Sequence, residues 1–304
     1  MKKKYKNILI VVILLSILVV NIFSVDIIVN KIVEYTELFI KRIFPVSFIF
    51  FTLSNMLIEY NFIQILQRLF KIKSPYIYVF ILSLISGFPS GAIYTKELLE
   101  KDIISISDAN KIIMFCHFPN PLFVINSIGL ILNNKILSFI ILLSIIISNF
   151  IILLFCSKKR ISSYSSFNNN IDFSNTLSKC IYKSFKNIIM IYGISLFFYL
   201  ISFLLSRYVT NNYLYVFING LFDLTNGVYS TSIINYEFIK IIFIIFFISF
   251  GSLSIHFQIK SILMNTSISY NKYLFGRMIA CIISFLCIFF YYFIIKFNCF
   301  IWIY

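Results

Sequence analysis

Four short stretches hold the residues that could do chemistry. SGFPSGA, Ser86 to Ala92, sets two glycines, a proline and two serines into an apolar run. GLFDLTNGVYS, Gly220 to Ser230, places one acid, Asp223, just ahead of Thr225, Asn226 and Gly227. FCHFPNPLFVINSIG (Phe115 to Gly129) and FGSLSIHFQIKSI (Phe250 to Ile262) mix helix breakers with Asn120, Asn126, Ser252, Ser254, His256 and Gln258. Neutral hydrogen-bonding side chains of this kind suit carbonyl, carboxylate or ring-nitrogen recognition inside an apolar cavity.

The breaks matter because of where they fall. In lipid every backbone N–H and C=O needs a partner within the protein, so irregular backbone survives only when packed in protein or lining a cavity. Pro89 removes a donor and disfavours helix at Phe88, while Gly87 and Gly91 permit turns and close backbone approach. Ser90 is placed to cap the next helix. A helix N-terminus opened at that depth would present N–H groups and a partial positive charge to an anion. Asp223 is an acid in an otherwise apolar stretch, and intramembrane acids are rare and usually functional. It could carry a coupling proton, or coordinate Na⁺ together with Asn226. His117 and His256 are the two histidines of the chain. Each lies near an expected helix end, where capping competes with proton coupling as its role.

These stretches thus define a candidate binding site. Ser86, Gly87, Pro89, Ser90 and Gly91 form one half of it, and Asp223, Thr225, Asn226 and Gly227 the other. Asn120, Ser254, His256 and Gln258 line it. Neither a nucleophile–base pair nor a metal cluster nor a phosphate loop stands out, so enzyme chemistry is not expected. No metal or organic cofactor is expected beyond a coupling H⁺ or Na⁺.

The elements that must position these residues are membrane helices. Of 304 residues 60% are hydrophobic and 12% charged, with a mean hydropathy of +0.95, more apolar surface than a soluble domain could hide. The chain reads as an all-α polytopic membrane protein, and the lipid bilayer is its first partner. A net charge of +15 invites a nucleic-acid reading. That reading is rejected, because the Lys and Arg fall in short loops between apolar spans, as the positive-inside rule expects. The 37 Phe and 20 Tyr fit a low-GC coding bias and mark no aromatic site. The six cysteines show neither CxxC nor metal spacing and read as small hydrophobes, without disulfides or zinc.

An N-terminal helix is expected at 7–24, too long and too poor in cleavage signals for a signal peptide, with its lysines in the cytoplasm. Further segments are expected at 36–59, 76–94, 112–132, 136–156, 187–206, 213–233, 237–256 and 272–296. Basic residues at Arg68, Lys71 and Lys73, at Lys158, Lys159 and Arg160, and at Lys260 and Lys272 mark the inside loops. The Ser/Asn-rich stretch 157–173 reads as a cytoplasmic linker. It separates 31–156 from 174–304, with 1–30 as the N-terminal transmembrane helix. The order of break, polar-broken helix and span occurs in both halves with opposite entry sides. This predicts inverted repeats of roughly eight membrane segments, the architecture of many secondary transporters. Loop parity requires 76–94 and 213–233 to be re-entrant, or else both to cross and the FPNP stretch to be re-entrant; the sequence leaves both open.

SGFPSGA, FCHFPNPLFVINSIG, GLFDLTNG and FGSLSIHFQ, in that order, resemble the YlbJ/SpoVV family of sporulation integral membrane proteins, part of a wider group sharing the nucleoside recognition or Gate domain. The resemblance covers roughly 36–296 and makes the two halves Gate-like repeats. It implies a role in spore-forming Firmicutes: movement of dipicolinic acid from the mother cell across the outer forespore membrane. The chain departs from the family pattern at Phe88 (usually Tyr), at His117–Pro121, at Asp223 (usually Glu) and at Ser252 (usually Gly), and it is short for the family. Two other functions fit the same residues: a transporter of nucleosides or another neutral metabolite, and a non-transporting membrane scaffold in spore assembly. The oligomeric state is left open, a homo-oligomer included.

Overall fold

The computed structural model describes residues 24–62, 75–156 and 172–301 continuously, with scattered positions before and between them. Much of the expected helix 7–24, the basic residues Arg68, Lys71 and Lys73, and most of the linker 157–173 lie outside the described residues.

No strand occurs among the described residues, and nearly all of them are helical, so the fold is all-α. Helix α1 (Val25–Leu38) runs through a π-helical turn, Phe39–Ile43, into α2 (Phe44–Glu59), with Pro45 directly after that turn. Next come α3 (Pro75–Ser86) and α4 (Ser90–Glu100), joined by three residues and packed on each other as a hairpin. Helix α5 (Ile106–Phe115) stops at a coil, after which the chain resumes as a π-helical turn, Phe123–Ile128, leading into Gly129–Ile131. Its two parts do not pack along one another, so this helix is interrupted rather than folded back. Helix α6 (Lys135–Cys156) is long and apolar.

The same order recurs. Helix α7 (Phe173–Ser206) is followed by a second hairpin, α8 (Asn212–Phe222) and α9 (Leu224–Ser230). Helices α10 (Glu237–Phe250) and α11 (Leu253–Leu263) form a second interrupted helix, and α12 (Tyr270–Ile301) closes the bundle. Helix α2 packs on α7, α6 on α12, and α11 on α4 and α7.

Among the described residues, four stretches are long and apolar enough to cross a membrane: Lys135–Cys156, Phe173–Ser206, Glu237–Leu263 and Tyr270–Ile294. This is the make-up of an integral membrane protein. It corrects the expectation of roughly eight such segments. The segments 76–94 and 213–233, which the sequence left open between re-entrant and crossing, are hairpins whose arms have at most 12 residues. Helix α2 has 16 residues and continues α1 without a break through the π-helical turn; this run is not among the four. The expected span at 187–206 also begins earlier: Asp172 caps α7, its carboxylate accepting the Asn175 N–H at 3.0 Å, so the polar stretch after the linker is already helix.

Candidate functional site

Both hairpin tips and both interrupted helices reach one cavity of about 330 Å³. The first tip is built by close packing. Gly87 sits at φ +76°, a left-handed turn that favours glycine, and a Cβ there would lie 2.9 Å from the Asn120 backbone. A Cβ at Gly91 would overlap the Cys116 carbonyl. The tip therefore rests directly on the coil between α5 and Phe123. Of the SGFPSGA residues, Ser86 and Phe88 line the cavity; Gly87, Pro89, Ser90 and Gly91 shape the turn behind them. The expected Ser90 cap is not formed. Pro89 takes the N-cap position of α4, and the Ser90 hydroxyl is buried beside Tyr94. Ser86 Oγ instead hydrogen-bonds Tyr94 Oη at 2.8 Å, tying the two arms together.

The second tip carries the acid. Asp223 is 2% exposed and lines the cavity with Leu224 and Thr225. Its Oδ1 accepts the Asn226 N–H at 2.9 Å, capping α9, and the hydroxyls of Ser254 and Tyr35 lie within hydrogen-bonding reach. At this second tip no free helix N-terminus faces the cavity: Asp223's own carboxylate fills that position. Asn226 and Gly227 face into the hairpin. A Cβ at Gly227 would overlap the Cα of Gly220, which is why the arms can meet. The Asn226 amide donates to Asn219 Oδ1 at 2.8 Å, and that oxygen also accepts from Ser202 Oγ at 2.5 Å.

The coil after α5 presents Pro119 and Asn120 to the cavity, with Asn120 Oδ1 accepting the Leu122 N–H at 2.9 Å. From α11 come Ser254 and Gln258, the latter donating to Ser195 Oγ at 2.8 Å. His256, on the opposite face of α11, does not line the cavity. Its ring pairs with Tyr270 Oη at 2.9 Å and lies 5.3 Å from the Tyr273 ring. His117 is equally buried, donates to the Ile113 carbonyl at 3.1 Å, and meets Tyr273 edge-on at 4.7 Å. Among the described residues, no three His, Cys, Asp or Glu side chains gather as metal ligands.

Six of the expected site residues, Ser86, Asn120, Asp223, Thr225, Ser254 and Gln258, therefore meet across the two halves in one cavity. The sequence reading missed Tyr35, Arg42, Ser195 and Tyr229, which also line it. Tyr229 spans the cavity to donate to Ser127 Oγ at 3.2 Å. The signal for Arg42 was a guanidinium inside the expected span 36–59, the same kind of anomaly that singled out Asp223.

Comparison with protein-family models, curated proteins and solved structures gave no match.

Proposed function

We propose that the chain is a secondary transporter for a small organic anion. One observation carries this reading: a single cavity whose polar lining is drawn from two hairpin tips and two interrupted helices, with Arg42 as its cation and Asp223 as its acid. The volume suits a small metabolite. The remaining polar groups are neutral hydroxyls and amides, which fix a carboxylate or a ring nitrogen without the desolvation cost of further charges.

The finer architecture follows from the same reading. Each half runs as long helix, hairpin, interrupted helix, long helix, and equivalent elements pack in pairs, α2 on α7 and α6 on α12. The recurring order supports two repeats of one unit, and we propose that they are inverted about a pseudo-two-fold axis with the hairpins re-entrant. Dipicolinic acid as the substrate, and the outer forespore membrane as the location, rest on the family resemblance. Chemistry adds one condition. A dicarboxylate beside an ionised Asp223 would be repelled, so the anion binds with a neutralising cation there; we take it to be H⁺ on Asp223 rather than Na⁺, because the Asn226 side chain expected to share a Na⁺ is turned into the hairpin toward Asn219. The preponderance of neutral hydrogen-bonding groups favours a second reading, a nucleoside or other neutral solute in the same cavity.

Uptake of labelled dipicolinate into proteoliposomes tests the proposal, with wild type, Arg42→Gln and Asp223→Asn at matched protein levels. Arg42→Gln should lower uptake about tenfold, the loss of one charge-assisted contact. Asp223→Asn should abolish the dependence on an imposed pH gradient. Wild-type uptake that nucleosides compete away and that Arg42→Gln leaves intact would transfer the cavity to the neutral-solute reading. Uptake by neither route would leave the scaffold role in spore assembly.

A further inference from the structure

Two helices end inside the bundle, and their last carbonyls need partners. Helix α5 stops at Phe115 and α10 at Phe250, where Gly251 turns the chain at φ +95°. A buried carbonyl left without a donor is costly, and each helix C-terminus also carries a partial charge of about −0.5. One side chain answers both ends. Arg277 on α12 is 0% exposed. Its Nη1 donates to the His117 carbonyl at 3.0 Å and the Ser249 carbonyl at 3.4 Å. Its Nη2 donates to the Met114 carbonyl at 3.1 Å and to Asn149 Oδ1 at 2.5 Å. Four of the five N–H groups of the guanidinium are thus spent on α5, the coil after it, α10 and α6. The approach is allowed by Gly276, where a Cβ would overlap the Met114 carbonyl.

No carboxylate forms an ion pair with Arg277 among the described residues. Its charge is balanced by the two helix ends, whose partial charges sum to about −1. In secondary transporters built on broken helices, half-helix C-termini and unwound carbonyls are where a coupling Na⁺ is held. We infer that Arg277 is a tethered cation occupying that role: it binds the ends of both interrupted helices into one unit, and no metal cation is taken up at this crossing. The inference rests on the transporter reading for its meaning, but its geometry does not, so it is tested by stability as well as by uptake.

The experiment compares melting temperatures of the purified full-length protein in sodium chloride and in choline chloride at equal ionic strength. It uses wild type, Asp223→Asn, Arg277→Lys and Arg277→Ala, each with and without a low concentration of guanidinium. Wild type should melt at the same temperature in both salts. Arg277→Ala should melt about 5 °C or more lower and recover part of the loss with guanidinium or with Na⁺, either of which can enter the vacated position. Arg277→Lys, one charge with fewer directed donors, should fall between them. A sodium-dependent melting temperature that persists in Asp223→Asn would overturn the inference, since it would place a Na⁺ site away from the acid. So would an Arg277→Lys variant as unstable as Arg277→Ala, with neither responding to guanidinium. If Arg277→Ala cannot be purified, the wild-type, Asp223→Asn and Arg277→Lys results decide alone. Loss of the transport reading would show as absent uptake with the melting pattern intact.

Discussion

Asn226 and Asp223 sit three residues apart and do different work. The Asn226 side chain is spent on Asn219 within the hairpin and, at 3.5 Å, on Ser202 of α7, and it does not line the cavity. Asn226→Ala should therefore cost about 1–2 kcal/mol of stability, the loss of one buried hydrogen bond and its packing, and lower the melting temperature by a few degrees. The KM for uptake should stay at the wild-type value once abundance is matched. Asp223→Asn should do the reverse. An asparagine keeps an oxygen to cap α9, so the melting temperature should hold while uptake and its pH dependence change. A raised KM in Asn226→Ala at unchanged melting temperature would put that amide on the substrate instead. Asp223 was legible in the sequence, because an acid among apolar residues is seldom there for packing alone. Arg277 carries the same signal less visibly: it stands five residues after Lys272, where it reads as the tail of a loop's basic cluster. Only the meeting of three chain segments at its guanidinium shows otherwise.

At the scale of elements, the sequence located every break but not what each break does. Glycine and proline interrupt a helix by the same means whether the chain then turns back or carries on. The outcome is decided by contacts distant in sequence: Gly91 against Cys116 and Gly87 against Asn120 at the first tip, Gly227 against Gly220 and Phe247 at the second. Those contacts make 75–100 and 212–230 hairpins, while the FPNP coil interrupts a helix that continues. The long helices α6 and α12 were legible nearly to their ends, since each is a single apolar run. A matched pair of substitutions checks the packing account. Gly91→Ala would drive a methyl group into the Cys116 carbonyl, so the hairpin must lift from the coil; the expected result is loss of monodisperse protein on size exclusion. Gly193, mid-way along α7, has nothing within 4 Å of the space a Cβ would take. Gly193→Ala should be neutral or stabilising by up to about 1 kcal/mol, since alanine is the better helix former. Equal tolerance of the two would show that the first tip is not held by this contact.

Across the molecule, the cavity and the largest ionic cluster among the described residues lie at opposite ends of α2. Arg42 and Ile43 line the cavity just ahead of Phe44, and Glu59 ends the helix about 24 Å away. There Glu59 meets Lys101, the C-cap of α4, at 2.9 Å and Lys179 of α7 at 3.6 Å. Lys183 of α7 lies 2.8 Å from Glu97 of α4, which is 3% exposed, although off the line of a well-directed hydrogen bond. The cluster joins α2 and α4 of the first half to α7 of the second. Burial pushes the Glu59 carboxyl up, but the hydrogen bond and charge of Lys101, with Lys179 and Lys183, more than offset this and hold it below its ordinary value. A carboxyl lowered on folding contributes stability that is complete above the unfolded pKa, about 4.3, and is lost as pH falls through the folded value. The wild-type melting temperature should therefore fall more steeply than that of Glu59→Gln between about pH 5 and pH 3. The difference should shrink in high salt, because the group is partly open to solvent. Parallel curves for the two proteins would mean that Glu59 does not link the halves. A steeper fall in wild type that disappears in Lys101→Met as well would assign the link to the Glu59–Lys101 pair.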